Sequence, residues 1–295
     1  MKNKISIMAL ALLFAISISS CDFVNIPKQA GTTNDTTSTA VIRKVFIEDY
    51  TGHHCTNCPL AAAEANTLIA LYGSKIVVMG VHAGFFADTA LSGTQYRTNF
   101  RTPAGDIYDG TTVFNISQGY GNPNGMINRE NYPTAYVIGY TDWPTNVAAE
   151  LAKPATAKLT ITNTYNSATR SLNCSVNSTF LYDTLTGPAY KLVVAVIQDS
   201  IISDQLNSGT YVTNYVHRHV LRDNINGPWG DNLVTGSIVA NAVINKSYTY
   251  TFPVNYPATG GPSSTSCDIN QCYIVAYIYN NGTKEVIQVE EAKVN

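Results

Sequence analysis

Charge is what this chain has least of. Lys, Arg, Asp and Glu make up only 13% of its 295 residues, the net charge is −2, and no basic tract occurs. A near-neutral chain without clustered Lys or Arg lacks the electrostatic footprint of a nucleic-acid binder, and that class of partner is excluded. Long apolar runs are missing too. After Ile5–Ile18 at the N-terminus, no run is long enough to span a bilayer. Cysteine is sparse, at six residues, and no internal repeat links the two halves. What is plentiful is Tyr, at 19 residues, together with Thr, Asn and Ser. That balance suits an exported, β-rich protein.

The N-terminus reads as an export signal rather than as part of the fold. Lys2 and Lys4 precede an apolar run of about 14 residues, too short for a comfortable membrane span, followed by small residues at a cleavage point. Ile18-Ser19-Ser20-Cys21 looks like a bacterial lipobox, which makes Cys21 the lipidated first residue of the mature chain. Two or more acyl chains hold a protein stably at a membrane where one is marginal. Residues 1–20 are then the signal peptide. Residues 21–40, with Gly31 to Thr39 polar and small, form a flexible tether. The remaining stretch of about 255 residues is enough for two domains, placed at 41–154 and 155–295.

Residues 41–50 read as a strand that runs into Cys55-Thr56-Asn57-Cys58-Pro59. Pro59 to Tyr72 reads as a helix, with proline in its first turn and Gly73 after its end. Ile76 to Val81 is an unbroken apolar run, as in a strand buried on both faces. Strand, helix and strand of these lengths make a right-handed βαβ unit with parallel strands. The two thiols then lie at the positive end of a helix, where a thiolate is stabilised and a disulfide ring can close. This is the arrangement of thioredoxin-like redox proteins, which also need a proline facing the CxxC, then an antiparallel hairpin and a last helix. Pro123 and Pro133 compete for that place. Pro123 leaves room for strands at Gly125–Arg129 and Thr134–Tyr140 and for a helix over Trp143–Lys153 capped by Asp142, so Pro123 is preferred. The insertion Gly84–Tyr120 is longer than a minimal fold needs and reads as a lid or cap.

Beyond Pro154 the pattern changes to period two. Leu159/Ile161, then Leu172/Cys174/Val176, then Lys191–Gln198, Tyr248–Val254 and Tyr273–Tyr279 are strand signals. Asn280-Asn281-Gly282-Thr283 is a hairpin turn leading into Val286–Val289. These strands suggest an all-β immunoglobulin-like sandwich, interrupted by an ordered excursion over Ser203–Val243. Within that excursion, His217 and His219 would share one strand face with Tyr215 and Leu221, and the cluster reads as a packing motif whose arginines tie down carbonyls. Trp229 reads as a loop anchor. Among the remaining cysteines, Cys267 and Cys272 are the favoured structural disulfide, with Cys174–Cys272 the alternative.

At the CxxC, Cys55 is the better nucleophile because it precedes the helix, and Cys58 is the resolving thiol one turn in. His53, His54 and His82 are placed to modulate it, the first two by lowering the Cys55 pKa when protonated. Asp49, six residues before Cys55, resembles the buried acid of thioredoxins that assists proton transfer to the resolving cysteine. Cys55 and Cys58 with His53, His54 or His82 could also offer soft ligands to copper or zinc, a rival that the narrow cysteine spacing disfavours. No metal and no cofactor is assigned to the site.

Thr51-Gly52-x-x-Cys55-x-Asn57-Cys58-Pro59, Pro123 with Met126-Ile127-Asn128-Arg129, His217-x-His219-Val220-Leu221-Arg222, and Val275-Ala276-Tyr277 with Glu285–Val289 occur together in this order. In that combination the chain resembles a Bacteroidetes family, that of the twenty-eight-kilodalton outer-membrane protein, over nearly the whole mature length. The resemblance implies an outer-membrane lipoprotein, on the periplasmic face or at the cell surface, with a thioredoxin-like domain and a β-sandwich. His54 stands where thioredoxins usually carry tryptophan, and Asn124 where threonine usually follows the proline. Two functions follow from the resemblance. One is a thiol–disulfide oxidoreductase acting on exported cysteine-containing proteins. The other is a surface-binding or adhesin-type lipoprotein for host ligands, whose CxxC is a structural disulfide. The lineage also implies O-glycosylation at Asp35-Thr36-Thr37.

Overall fold

The computed structural model describes residues 41–89, 93–183, 189–234, 236–257 and 263–295. Cys21, the tether at 21–40 and the Asp35–Thr37 glycosylation motif lie outside the described residues. Among those described, no helix is long and apolar enough to cross a membrane. The protein is mostly β.

The first half of the chain supplies β1 (Val45–Thr51), α1 (Cys58–Tyr72), β2 (Ile76–His82), α2 (Pro103–Tyr108), α3 (Ile116–Gly119), β3 (Asn124–Ile127), β4 (Ile138–Gly139) and α4 (Trp143–Leu151). The second half supplies β5 (Ala157–Asn166), β6 (Ser171–Phe180), β7 (Tyr190–Gln198), β8 (Ile201–Asn207), β9 (Thr210–His217), β10 (Val220–Asn224) and β11 (Asp231–Val234). It continues with β12 (Val243–Thr251), β13 (Asn255–Tyr256), β14 (Thr265–Ser266), β15 (Cys272–Asn280) and β16 (Val286–Lys293).

Strands β1 and β2 are parallel and joined through α1, as the βαβ pattern requires. β3 pairs antiparallel with β1, and β4 with β3, giving the order β2–β1–β3–β4. α1 starts where Pro59 can occupy its first turn without losing a hydrogen bond, and stops at Gly73, whose φ of 60° suits glycine. Its buried residues Cys58, Ala61, Ala65 and Leu68 recur at helical spacing. They pack with Trp143 and Val147 of α4 on one face of β1–β3, over Val45, Ile47, Val78 and Ile127.

The sheet does not end with the first half. β2 also pairs with β10 at Gly80 and Val220, and β10, β7, β15 and β16 continue the order to nine strands, with β11 beside β7. Chain on both sides of residue 154 therefore shares one sheet. It curls until Phe46 of β1 stacks on Tyr277 of β15 with ring centres 4.8 Å apart. The face of β1 and β2 opposite the helices thus buries Phe46, Tyr50, Val77 and Met79 against Val193, Ala195, Val275 and Tyr277. α2 and α3, from the insertion, complete that core with Ala104, Tyr108 and Ile116. A second sheet, β12–β6–β5, packs on the far side of β7 and β15 through Leu172, Cys174, Val176, Val194 and Ile274.

Several expectations are corrected here. The hairpin after Pro123 is shorter than expected, with β3 ending at Ile127 and β4 confined to Ile138–Gly139. The cause is Arg129. With φ of 50° at Asn128 and 53° at Arg129, the chain leaves the strand and turns the guanidinium inward. There it makes a two-pronged pair with Glu48 at 2.6 and 2.7 Å, bonds the Tyr277 hydroxyl at 3.1 Å and lies over the rings of Phe114 and Tyr277. Asp142 precedes α4 but its side chain makes no cap bond, and the helix stops at Leu151. The Cys267–Cys272 bridge is not closed. Its sulfurs are 4.0 Å apart, about twice a bond length, and the Cys272 thiol donates to the Asp268 carbonyl at 3.2 Å. Cys174 is a buried free thiol. His217 and His219 do not share a strand face, because His219 has φ of 54° and separates β9 from β10. Arg222 does tie down neighbours, donating to the Tyr256 carbonyl and to Thr265 Oγ1.

Candidate functional site

The turn between β1 and α1 carries the cysteines. Cys55 N–H donates to the Gly52 carbonyl at 3.1 Å, closing the turn, and Cys55 and Cys58 are joined as a disulfide. The Cys55 sulfur accepts the backbone N–H of Cys58 at 3.1 Å, one of the donors that a helix start leaves without an internal partner. That donor and the helix dipole favour negative charge on Cys55 once the bond is reduced. Pro123, with a cis peptide bond before it, leads into β3, where Asn124 pairs with Tyr50 and Gly125 with Asp49. Of the two competing prolines, it is thus Pro123 that stands beside the exit of β1. Pro133 lies in the turn after Arg129.

Asp49 is on the helix side of β1 with Ile47, and only 5% of it is exposed. Burial pushes its carboxyl from the ordinary 3.8 up to about 7. Its Oδ1 has no hydrogen-bond partner. Asp49 lines a cavity of about 50 Å³ together with Cys58, Gly80, His82, Tyr215 and His219. Asp49 and Cys58 therefore line the same cavity. Burial, aided by the charge of Asp49, raises the Tyr215 hydroxyl to about 12 and keeps it protonated.

The histidines do not act as expected. Burial holds His53 down to about 4, and its ring donates from Nε2 to the Asp88 carbonyl at 2.8 Å. At neutral pH it is an uncharged imidazole and not a cation beside Cys55. His54 lies over Tyr96 with ring centres 4.1 Å apart. His82 is buried against Phe100 and close to His217, and desolvation drives its pKa well below the ordinary value. Neither ring nitrogen makes a well-formed hydrogen bond, although the Gly80 main chain lies close enough to favour the protonated ring slightly. Among the described residues, no three His, Cys, Asp or Glu side chains are arranged to hold a metal ion.

The disulfide is covered. Cys55 and Cys58 are each only 2% exposed. One part of the cover is the stretch after β2, whose Phe86 carbonyl accepts from His54 N–H at 3.0 Å. A Cβ on Gly52 would lie 2.3 Å from that carbonyl group, so only glycine permits this approach. The other part is the β8–β9 hairpin. Leu206 N–H donates to the His53 carbonyl and Ser208 N–H to the Thr56 carbonyl, at 2.8 and 2.9 Å. The Gln205 side-chain amide donates to the carbonyls of Gly52 and Cys55 at 3.3 and 3.0 Å.

Cys55, Cys58, Asp49, His53, His54, His82 and Pro123 are thus brought to one end of the sheet. Sequence reasoning missed Gln205 and Phe100, and placed Tyr215 in the cluster of His217 and His219. It also read His217 and His219 as part of a separate packing motif, yet both line the same cavity. No local signal marks Gln205, whose partners lie about 150 residues away in the chain. The one usable hint was the scarcity of histidine, since all five in the chain lie in or beside the site.

A family model described as outer membrane protein Omp28 matches residues 112–295. Among solved structures, HBP35 of Porphyromonas gingivalis is 14% identical, with a TM-score of 0.63, over 87% of this chain and 77% of its own. A domain of the outer membrane lipoprotein Omp28 from Porphyromonas gingivalis is 23% identical over 48% of this chain and 89% of its own, with a TM-score of 0.31. The first likeness concerns the fold, and the second is too loose to bear on it. No curated protein matches the chain.

Proposed function

This chain belongs to the Omp28 family of outer membrane proteins, and from its CxxC site we propose that it is a lipid-anchored thiol–disulfide oxidoreductase of the outer membrane, acting on exported cysteine-containing proteins. In this reading residues 41–154 are a thioredoxin-like unit, 155–295 an immunoglobulin-like sandwich fused to it through the shared sheet, and Cys21 the lipid attachment. The observation that carries the proposal is Asp49. A disulfide that only braces a loop has no use for a buried carboxyl with an unpartnered Oδ1, titrating near 7 in a cavity that Cys58 also lines.

The chemistry is thiol–disulfide exchange. The Cys55 thiolate attacks one sulfur of a partner disulfide, forming a mixed disulfide and releasing the partner's other sulfur as a thiolate that takes up a proton. Cys58 then loses its proton to the Asp49 carboxylate and attacks the Cys55 sulfur, releasing the second partner thiol. The Cys55–Cys58 bond forms as the partner bond is reduced. Run in reverse, an exported dithiol is oxidised and the pair reduced. Waters in the cavity would bridge Asp49 to the Cys58 sulfur, since its volume accommodates a few of them. Pro123 presents main chain to the partner segment.

The near-complete cover of both sulfurs favours the second reading, a surface-binding lipoprotein with an inert bridge. The reduction potential of the pair, with Cys58→Ala trapping in cells, separates the two. A potential above about −300 mV with recovered mixed disulfides supports exchange, whereas a lower potential without adducts marks a structural disulfide.

A further inference from the structure

The β8–β9 hairpin is built unlike the rest of the second half. Its strands pair only with each other, as a separate two-stranded sheet, while their neighbours β7 and β10 are integrated in the large sheet. Its buried apolar anchorage is at the base, where Ile201 packs with Phe100 and Val220, and near the tip Tyr211 meets the ring of Tyr96 edge-on. Away from the base, Ile202 is 66% exposed, and the side chains turned toward the cavity are polar ones, Gln205, at 2%, and Tyr215. What holds the hairpin over the CxxC is therefore hydrogen bonding. Its donors Leu206 N, Ser208 N, Gly209 N and the Gln205 amide meet the carbonyls of Gly52, His53, Cys55 and Thr56 and the Thr56 hydroxyl. Those acceptors belong to the turn that carries the nucleophile. They are the groups an extended segment of a partner would use to lie along it. At the base, positive φ at Ser200 and His219 turns the chain into and out of the hairpin. There His219 N–H donates to the Asp199 carboxylate at 2.6 Å.

We propose that the hairpin Ile201–His217 is an autoinhibitory strap, occupying the seat of a partner's extended segment and closing the Cys55–Cys58 disulfide to thiols until it lifts from its base. A cover made of a few hydrogen bonds opens locally at far lower cost than a cover made of core, because each bond released is exchanged for one to water. The strap also carries Tyr215 and His217, which wall the cavity around Asp49. Lifting it exposes the disulfide and opens the proton path to solvent in one movement. The inference rests on reading Cys55–Cys58 as an exchange site.

The test uses the full-length protein with the disulfide formed and tris(2-carboxyethyl)phosphine, a small reductant whose reaction is effectively irreversible and so independent of the reduction potential. Gln205→Ala removes the side-chain bonds to Gly52 and Cys55. It is expected to raise the reduction rate at least tenfold, with a loss of unfolding free energy no larger than that same factor, about 1.4 kcal/mol per tenfold. Hydrogen exchange on the wild type is the second measurement. The Leu206 and Ser208 amides are expected to exchange at least a hundredfold faster than the Val77 and Val78 amides of β2. An unchanged rate in the variant, or strap amides that exchange only with global unfolding, overturns the strap. Failure of the exchange reading shows instead as a potential below that of a reducible pair while the phosphine rates still respond to Gln205→Ala.

Discussion

Replacing Asp49 by Asn tests the site at its least stable point. In the folded protein the carboxyl titrates near 7, against 3.8 for an exposed one, and the cause is burial. Between those two values the folded state holds a proton that the unfolded state has lost. Stability therefore falls as pH rises from about 4 to 7 and is level above that. A shift of this size costs the fold up to about 4 kcal/mol at pH 8, and about 2 if water in the cavity screens the charge. Asn keeps the shape and removes the titration. The difference in unfolding free energy between variant and wild type should thus climb by about 2–4 kcal/mol from pH 4 to pH 8. A constant offset from rearranged hydrogen bonds cancels in that comparison. The assay is urea unfolding at closely spaced pH values, with the disulfide intact in both proteins. In parallel, Asn should slow the resolving step of exchange most near neutral pH, where the carboxylate takes the Cys58 proton. A flat difference curve would refute the claim that Asp49 titrates near 7 in the fold, and with it the observation on which the proposed function rests.

The buried pair of Arg129 and Glu48 makes a second prediction. Arg129→Met alone should cost about 3–5 kcal/mol by stranding Glu48, while Arg129→Met with Glu48→Leu should regain most of the loss in a chemical denaturation series. Gly52→Ala should lower stability by at least about 2 kcal/mol, because the added Cβ meets main chain that cannot give way. A thermal melt matching wild type would show that Phe86 is not held against the turn. Acid should weaken the region around Phe100. His53 is held to about 4 and His217 to about 3 by burial, which also holds His82 well below its ordinary value, so the unfolded state binds more protons as pH falls below 6.5. In an Asp49→Asn background His53 and His217 should each remove about 2 kcal/mol of stability between pH 7 and 5, and His82→Phe should make that fall in urea midpoints shallower.

Much of the site's frame is legible in local pattern. Pro59 and Gly73 bracket α1, the unbroken run Ile76–Val81 marks a strand buried on both faces, and alternation along β1 sends Asp49 to the side of Ile47. Each is a matter of main-chain geometry within a few residues. Choosing Pro123 over Pro133 followed from counting elements, and the pairing of β3 with β1 puts Pro123 beside the C-terminal end of β1. Arg129 was less legible. It reads as a strand residue until the positive φ angles and the buried Glu48 opposite make it the end of the strand.

The strand–CxxC–helix order and the period-two strands of the second half follow from the chain by itself, because they depend on hydropathy, spacing and turn chemistry among near neighbours. Only the tertiary structure decided that both halves share one curled sheet, that His53 stays neutral, and that a hairpin from the second half lies over the cysteines. Period two says that a segment is a strand but not which strand it meets. A histidine's charge depends on how far it is removed from water. The strap's seat on residues 52–56 is set by contacts about 150 residues apart, which no short window of sequence encodes.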